Sequence, residues 1–64
     1  MNRFQTIRYT SDSNELTCML DKVLGIIKIF YNGKLIEKIE LTPDDDPITQ
    51  LTNVFVTKIE TSKI

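Results

Sequence analysis

The chain has 64 residues, of which 41% are hydrophobic and 27% charged, with a formal net charge of −1. That balance belongs to one small globular domain over residues 1–64 and excludes a disordered segment. One cysteine and no histidine exclude an internal disulfide framework and argue against zinc sites and imidazole-based catalytic triads.

The first six residues, Met1 to Thr6, lack the apolar core of a signal peptide, and no apolar run reaches the length of a bilayer span. A cytoplasmic protein with no membrane partner is expected. Catalysis would have to rest on carboxylates, Lys or Tyr with shifted pKa values, and such shifts need burial that so short a chain hardly encloses. The chain therefore reads as non-enzymatic, with no cofactor and no bound metal. Nine Ile, three Val and eight Thr, with no Ala, point to a sheet.

In chain order, Arg3 to Thr10 reads as a strand carrying Ile7 and Tyr9, with Phe4 out of phase. Ser11-Asp12-Ser13-Asn14 is a turn, because short polar side chains bond their own backbone. Glu15 to Leu24 has two readings. As a strand it sends Leu16, Cys18 and Leu20 to one side and Thr17, Met19 and Asp21 to the other. As a helix it aligns Leu16, Met19, Leu20 and Val23 in one stripe, with Asp12 and Glu15 at capping-box spacing. Composition favours the strand, and the helix is the alternative.

Gly25 to Tyr31, then Asn32-Gly33, then Lys34 to Leu41 form the strongest local signal. Asn-Gly is the preferred pair of a type I′ hairpin turn. A regular ladder from that turn sets Tyr31 opposite Lys34, Phe30 opposite Leu35, Ile29 opposite Ile36, Lys28 opposite Glu37, Ile27 opposite Lys38 and Ile26 opposite Ile39. Both faces are then apolar at the centre, where a hairpin with one solvated face alternates cleanly.

Thr42-Pro43-Asp44-Asp45-Asp46-Pro47 is a loop. Its carboxylates lack the alternation and terminal Glu of a calcium loop, so a solvated acidic turn is expected. Ile48 to Ile64 again reads two ways. Asp46-Pro47 is a fair helix start with Ile48, Leu51, Phe55 and Ile59 on one stripe, while Val54, Phe55, Val56 and Thr57 form a β-rich run. A strand from about Leu51 to Glu60 is expected.

These readings give an all-β protein, a five-stranded antiparallel meander curled into a partly open barrel. The alternative is α+β, with one helix near residues 13–24 on the sheet. Domains this small rarely gain enough stability from their own core, which favours self-association or binding to a larger protein. The leading expectation is a protein-interaction module, an inhibitor, adaptor or accessory subunit acting through a sheet face or edge, with a homodimer included. Its composition, rich in Ile, Lys and Asn, suits a bacterial or phage accessory protein. The candidate docking patch is Ile27, Ile29, Tyr31, Ile36 and Lys38. The second expectation is single-stranded nucleic-acid binding by a small β-barrel through Arg3, Phe4, Arg8 and Tyr9, with Lys28 and Lys34 as helpers. A pI near 5.2 and the split of those side chains between two strand faces weigh against it. Cys18, in an apolar segment, reads as a buried small hydrophobe.

Overall fold

Two-residue turns and short strands dominate the computed structural model, which describes residues 2–62. Strands β1 (Phe4–Ser11), β2 (Asn14–Asp21), β3 (Ile26–Tyr31) and β4 (Lys34–Glu40) precede one helix, α1 (Pro47–Ser62). The strands form a single open antiparallel sheet in the order β1-β2-β3-β4. Among the described residues, one four-stranded sheet replaces the expected five-stranded meander curled into a partly open barrel. One helix on a sheet, the α+β alternative, is present, but it lies at the end of the chain; residues 14–21 are strand.

Both tight turns use left-handed backbone. Asn32 and Gly33 have φ of 52° and 83°, the type I′ geometry that Asn-Gly encodes. Asp12 and Ser13 have φ of 50° and 69° in the β1–β2 turn. Asn32 also ties β3 to β2. Its Oδ1 accepts the Glu15 N–H at 2.7 Å, and its own N–H donates to the Glu15 carbonyl at 2.8 Å.

The β3–β4 ladder follows the expected register only next to its turn. Tyr31 faces Lys34 and Phe30 faces Leu35, but Ile29 faces Glu37, so Ile36 is an extra, bulged residue. Beyond it every expected pair shifts by one. Lys28 faces Lys38 and not Glu37, Ile27 faces Ile39, and Ile26 faces Glu40. The shift has a clear physical cause. A regular ladder would set Lys38 beside Ile27 on the core side, whereas the bulge places Ile39 there.

Alternation on β2 and β3 sends Leu16, Cys18, Leu20, Ile27 and Ile29 to one face, where all are buried with Leu51 of α1. Ile7, Tyr31, Ile39, Val54, Phe55 and Ile59 pack around them. Leu51, Val54, Phe55 and Ile59 fall at i, i+3, i+4 and i+8, one helical stripe. That burial overrides the β-branched run at residues 54–57, which local preference alone would extend. Asp46 starts the helix: its carbonyl accepts the Gln50 N–H at 2.9 Å and its Oδ2 accepts the Thr49 hydroxyl at 2.6 Å. Pro47 follows at the position where a missing donor costs nothing. Asp45 closes the preceding loop by accepting the Thr42 N–H at 2.8 Å.

Leu51 is the only wholly buried residue that the described part of α1 contributes. Leu51→Ala is expected to cost about 2–5 kcal/mol, comparable with the whole core contribution of about 3–5 kcal/mol in so small a domain. A thermal melt followed by far-UV circular dichroism should lose its cooperative transition in this variant. The half-exposed Val56→Ala should melt close to the unaltered protein.

Candidate functional site

With α1 on one face, the other face of the sheet has no covering element among the described residues. Strand alternation and the observed register fix which side chains stand there. The central row runs Thr6, Met19, Lys28, Lys38 across the four strands. On one side of it lie Arg8, Thr17, Phe30 and Leu35, and on the other Phe4, Asp21, Ile26 and Glu40. Phe4 is 46% and Leu35 48% exposed, and Met19, Ile26 and Phe30 are half-buried by their neighbours in the sheet.

The structure divides the five residues read as a docking patch. Ile27 and Ile29 are 0% exposed and belong to the protein's own core. Tyr31 is half-buried on the same helix-covered face. Ile36 is 51% exposed in the bulge, and Lys38 stands exposed on the uncovered face. Of the nucleic-acid candidates, Phe4 and Arg8 share the uncovered face, while Tyr9 pairs with Leu16 on the other. Lys28 joins Phe4 and Arg8, and Lys34 lies at the β3–β4 turn. Met19 and Phe30, absent from both sets of sequence candidates, also stand on the uncovered face. The alternation of Leu16, Cys18 and Leu20 would have found Met19, since it must point opposite to them.

The electrostatics of the face are uneven. Arg8 Nε lies 3.5 Å from Glu15 Oε2, a solvent-exposed pair of small energetic weight. Lys28 and Lys38 sit directly opposite each other, and no carboxylate among the described residues makes an ion pair with either. Like charges so placed are destabilising. Glu37, which a regular ladder would have set beside Lys28, points to the helix side and pairs with Lys58.

Arg3 holds a structural position. Its Nε and Nη2 donate to Asp21 Oδ1 and Oδ2 at 3.0 and 2.9 Å, and its guanidinium lies 5.1 Å from the centre of the Phe4 ring. Asp21 Oδ1 also accepts the Val23 and Leu24 N–H groups at 3.0 and 3.1 Å, which fastens the β2–β3 turn. The Arg3 hydrogen bonds outweigh burial and hold the Asp21 carboxyl at about 2.

An open groove of about 230 Å³ between β4 and α1 is lined by Glu37, Ile39, Asn53, Val54, Thr57 and Lys58. It falls short of the roughly 300–1,000 Å³ of small-molecule sites. Among the described residues no three potential metal-ligating side chains converge, and no helix is long and apolar enough to cross a membrane. Cys18 is 0% exposed, and burial pushes its thiol up, against a smaller opposing effect of Lys58.

Because the Asp21 carboxyl is depressed on folding, its pairing stabilises the protein above the unfolded value of about 3.9. That contribution is lost as pH falls toward about 2. Asp21→Asn should lower the urea midpoint at neutral pH and flatten the midpoint's fall across this acid window. Cys18 should resist alkylation in the folded protein and react fully in denaturant, as followed by mass spectrometry.

No protein-family model matches this chain, and no curated protein or solved structure resembles it significantly.

Proposed function

We propose that the protein is a small, non-enzymatic protein-interaction module, an inhibitor, adaptor or accessory subunit, that docks its partner on the uncovered face of the sheet. The observation that carries this reading is the set of apolar side chains on that face: Phe4, Met19, Ile26, Phe30 and Leu35, with no covering element among the described residues. Burying a fully exposed side chain of this kind contributes about 1.5–3 kcal/mol, and these five, already partly covered, contribute a fraction of that each. A few well-fitted anchors of this kind dominate most protein interfaces. Lys28 and Arg8 beside the anchors give the face polar groups that orient a partner.

A second reading has its own support. Phe4, Arg8, Lys28 and Phe30 stand on one face, and single-strand nucleic-acid binders pair aromatic stacking platforms with cations in this manner. Glu15 and Glu40 on the same face, and a pI near 5.2, favour the protein partner, because phosphates are repelled by carboxylates.

A photo-crosslinking residue placed at Phe30 tests the proposal in cells that naturally produce the protein. The expected result is one protein adduct of defined mass, absent when the crosslinker replaces the exposed Thr52 of α1. No adduct from position 30, or the same adducts from both positions, overturns the docking face. Titration with labelled single-stranded oligonucleotides at low and high salt should show no binding. Salt-sensitive binding that Arg8→Ala abolishes would establish the second reading instead.

A further inference from the structure

The outer edge of β4 is a different surface from the docking face. β4 ends the sheet, so one side of its backbone has no strand partner among the described residues. The Leu41 N–H donates to the Gly25 carbonyl at 2.8 Å, which fixes the alternation along the strand. Leu41, Ile39 and Glu37 direct their backbone groups toward β3, and those of Lys38 and Glu40 point outward. An exposed edge of this kind templates pairing with another strand unless the sequence blocks it. A lone edge lysine would be such a block. Here Lys38 is followed two residues later by Glu40, on the same side of the sheet, and the two signs together make the edge self-complementary.

We propose that two copies of this chain pair antiparallel along β4, about a twofold axis at Ile39. An isologous antiparallel pairing sets one residue opposite its own copy, so the choices are few. Axes at Glu37, Lys38 or Glu40 oppose like charges, and an axis at Ile36 sets Lys34 against Lys38 of the second copy. An axis at Ile39 places Lys38 opposite Glu40 of the second copy twice, at the two positions whose N–H and C=O groups point outward. It also brings the two Ile39 side chains together on the helix side, beside the open groove that Ile39 and Val54 line. The pairing also answers an unfavourable feature of the monomer. Lys28 and Lys38 are held side by side with no ion-pair partner among the described residues, and the Glu40 carboxylate of the second copy supplies one. The opposite edge cannot do this, since β1 carries Arg8 and no acidic residue.

Charge reversal and mixing test the pairing. Mass in solution, measured by sedimentation over a concentration series, is expected to show a dimer for the unaltered chain. Lys38→Glu and Glu40→Lys each act twice across the axis, so each alone should raise the dissociation constant about tenfold or more. Mixed in equal amounts, the two variants regain complementary pairs and should form a heterodimer. Both residues are exposed, and far-UV circular dichroism confirms that the variants remain folded. A monomer at every concentration, a dimer indifferent to both reversals, or variants that fail to combine on mixing would overturn the proposal. A dimer lost on Phe30→Ser but not on charge reversal would place self-association on the docking face instead.

Discussion

A single helix cannot cover a four-stranded sheet. An α-helix with its side chains is about 10–12 Å across, whereas four strands set about 4.8 Å apart present a wider face. α1 therefore lies over the middle, chiefly on β2, and all five wholly buried sheet residues come from β2 and β3. The consequences are geometric. The outer strands are half-exposed, one whole face is uncovered, and β4 presents an unpaired edge among the described residues. These surfaces are where a small domain with a limited core has most to gain from contact with another molecule.

The bulge at Ile36 then decides which chemistry each surface displays. One inserted residue moves Ile39 inward against Ile27 and turns Glu37 to the helix side, where it meets Lys58. The same residue carries Lys38 outward beside Lys28. The core gains an apolar contact and the helix-covered side a partly exposed ion pair between sheet and helix, while the uncovered face acquires two neighbouring cations. A local gain in packing thus sets two like charges side by side at the surface, an arrangement that disfavours the isolated face.

Much of this was legible in the residues and some was not. The β3–β4 turn was legible because Asn-Gly answers a specific backbone need, φ above zero at both central positions. The burial of Leu16, Cys18 and Leu20 was legible as period-two alternation. The bulge was not: an extra residue has no local marker, and Ile36 is as strand-like as its neighbours. The helix misled for a related reason. Val54, Phe55, Val56 and Thr57 favour a strand locally, against the helix start at Asp46-Pro47, and the packing of Leu51, Val54, Phe55 and Ile59 on the β2–β3 core decides for the helix. The site inherited both errors. Ile27 and Ile29 looked like spare apolar surface because the element that covers them was read as a strand. The split of Arg3, Phe4, Arg8 and Tyr9 between two faces was legible because nothing interrupts β1, which sets Phe4 and Arg8 on one face and Tyr9 on the other.

The proposed edge pairing and the proposed docking face would not compete. A twofold axis normal to the sheet keeps both helices on one side, so pairing along β4 leaves both uncovered faces on the other side as one continuous surface. Lys38 and Glu40 lie at the seam, while Met19, Ile26 and Phe30 lie further in, on β2 and β3. A partner engaging those inner side chains would meet two copies of each, related by the axis. Two weak contacts joined in this way bind far more tightly than either alone, provided the partner spans both. For a face of only a few exposed apolar side chains, duplication across a shared edge is the most economical physical route from a small patch to a specific interface.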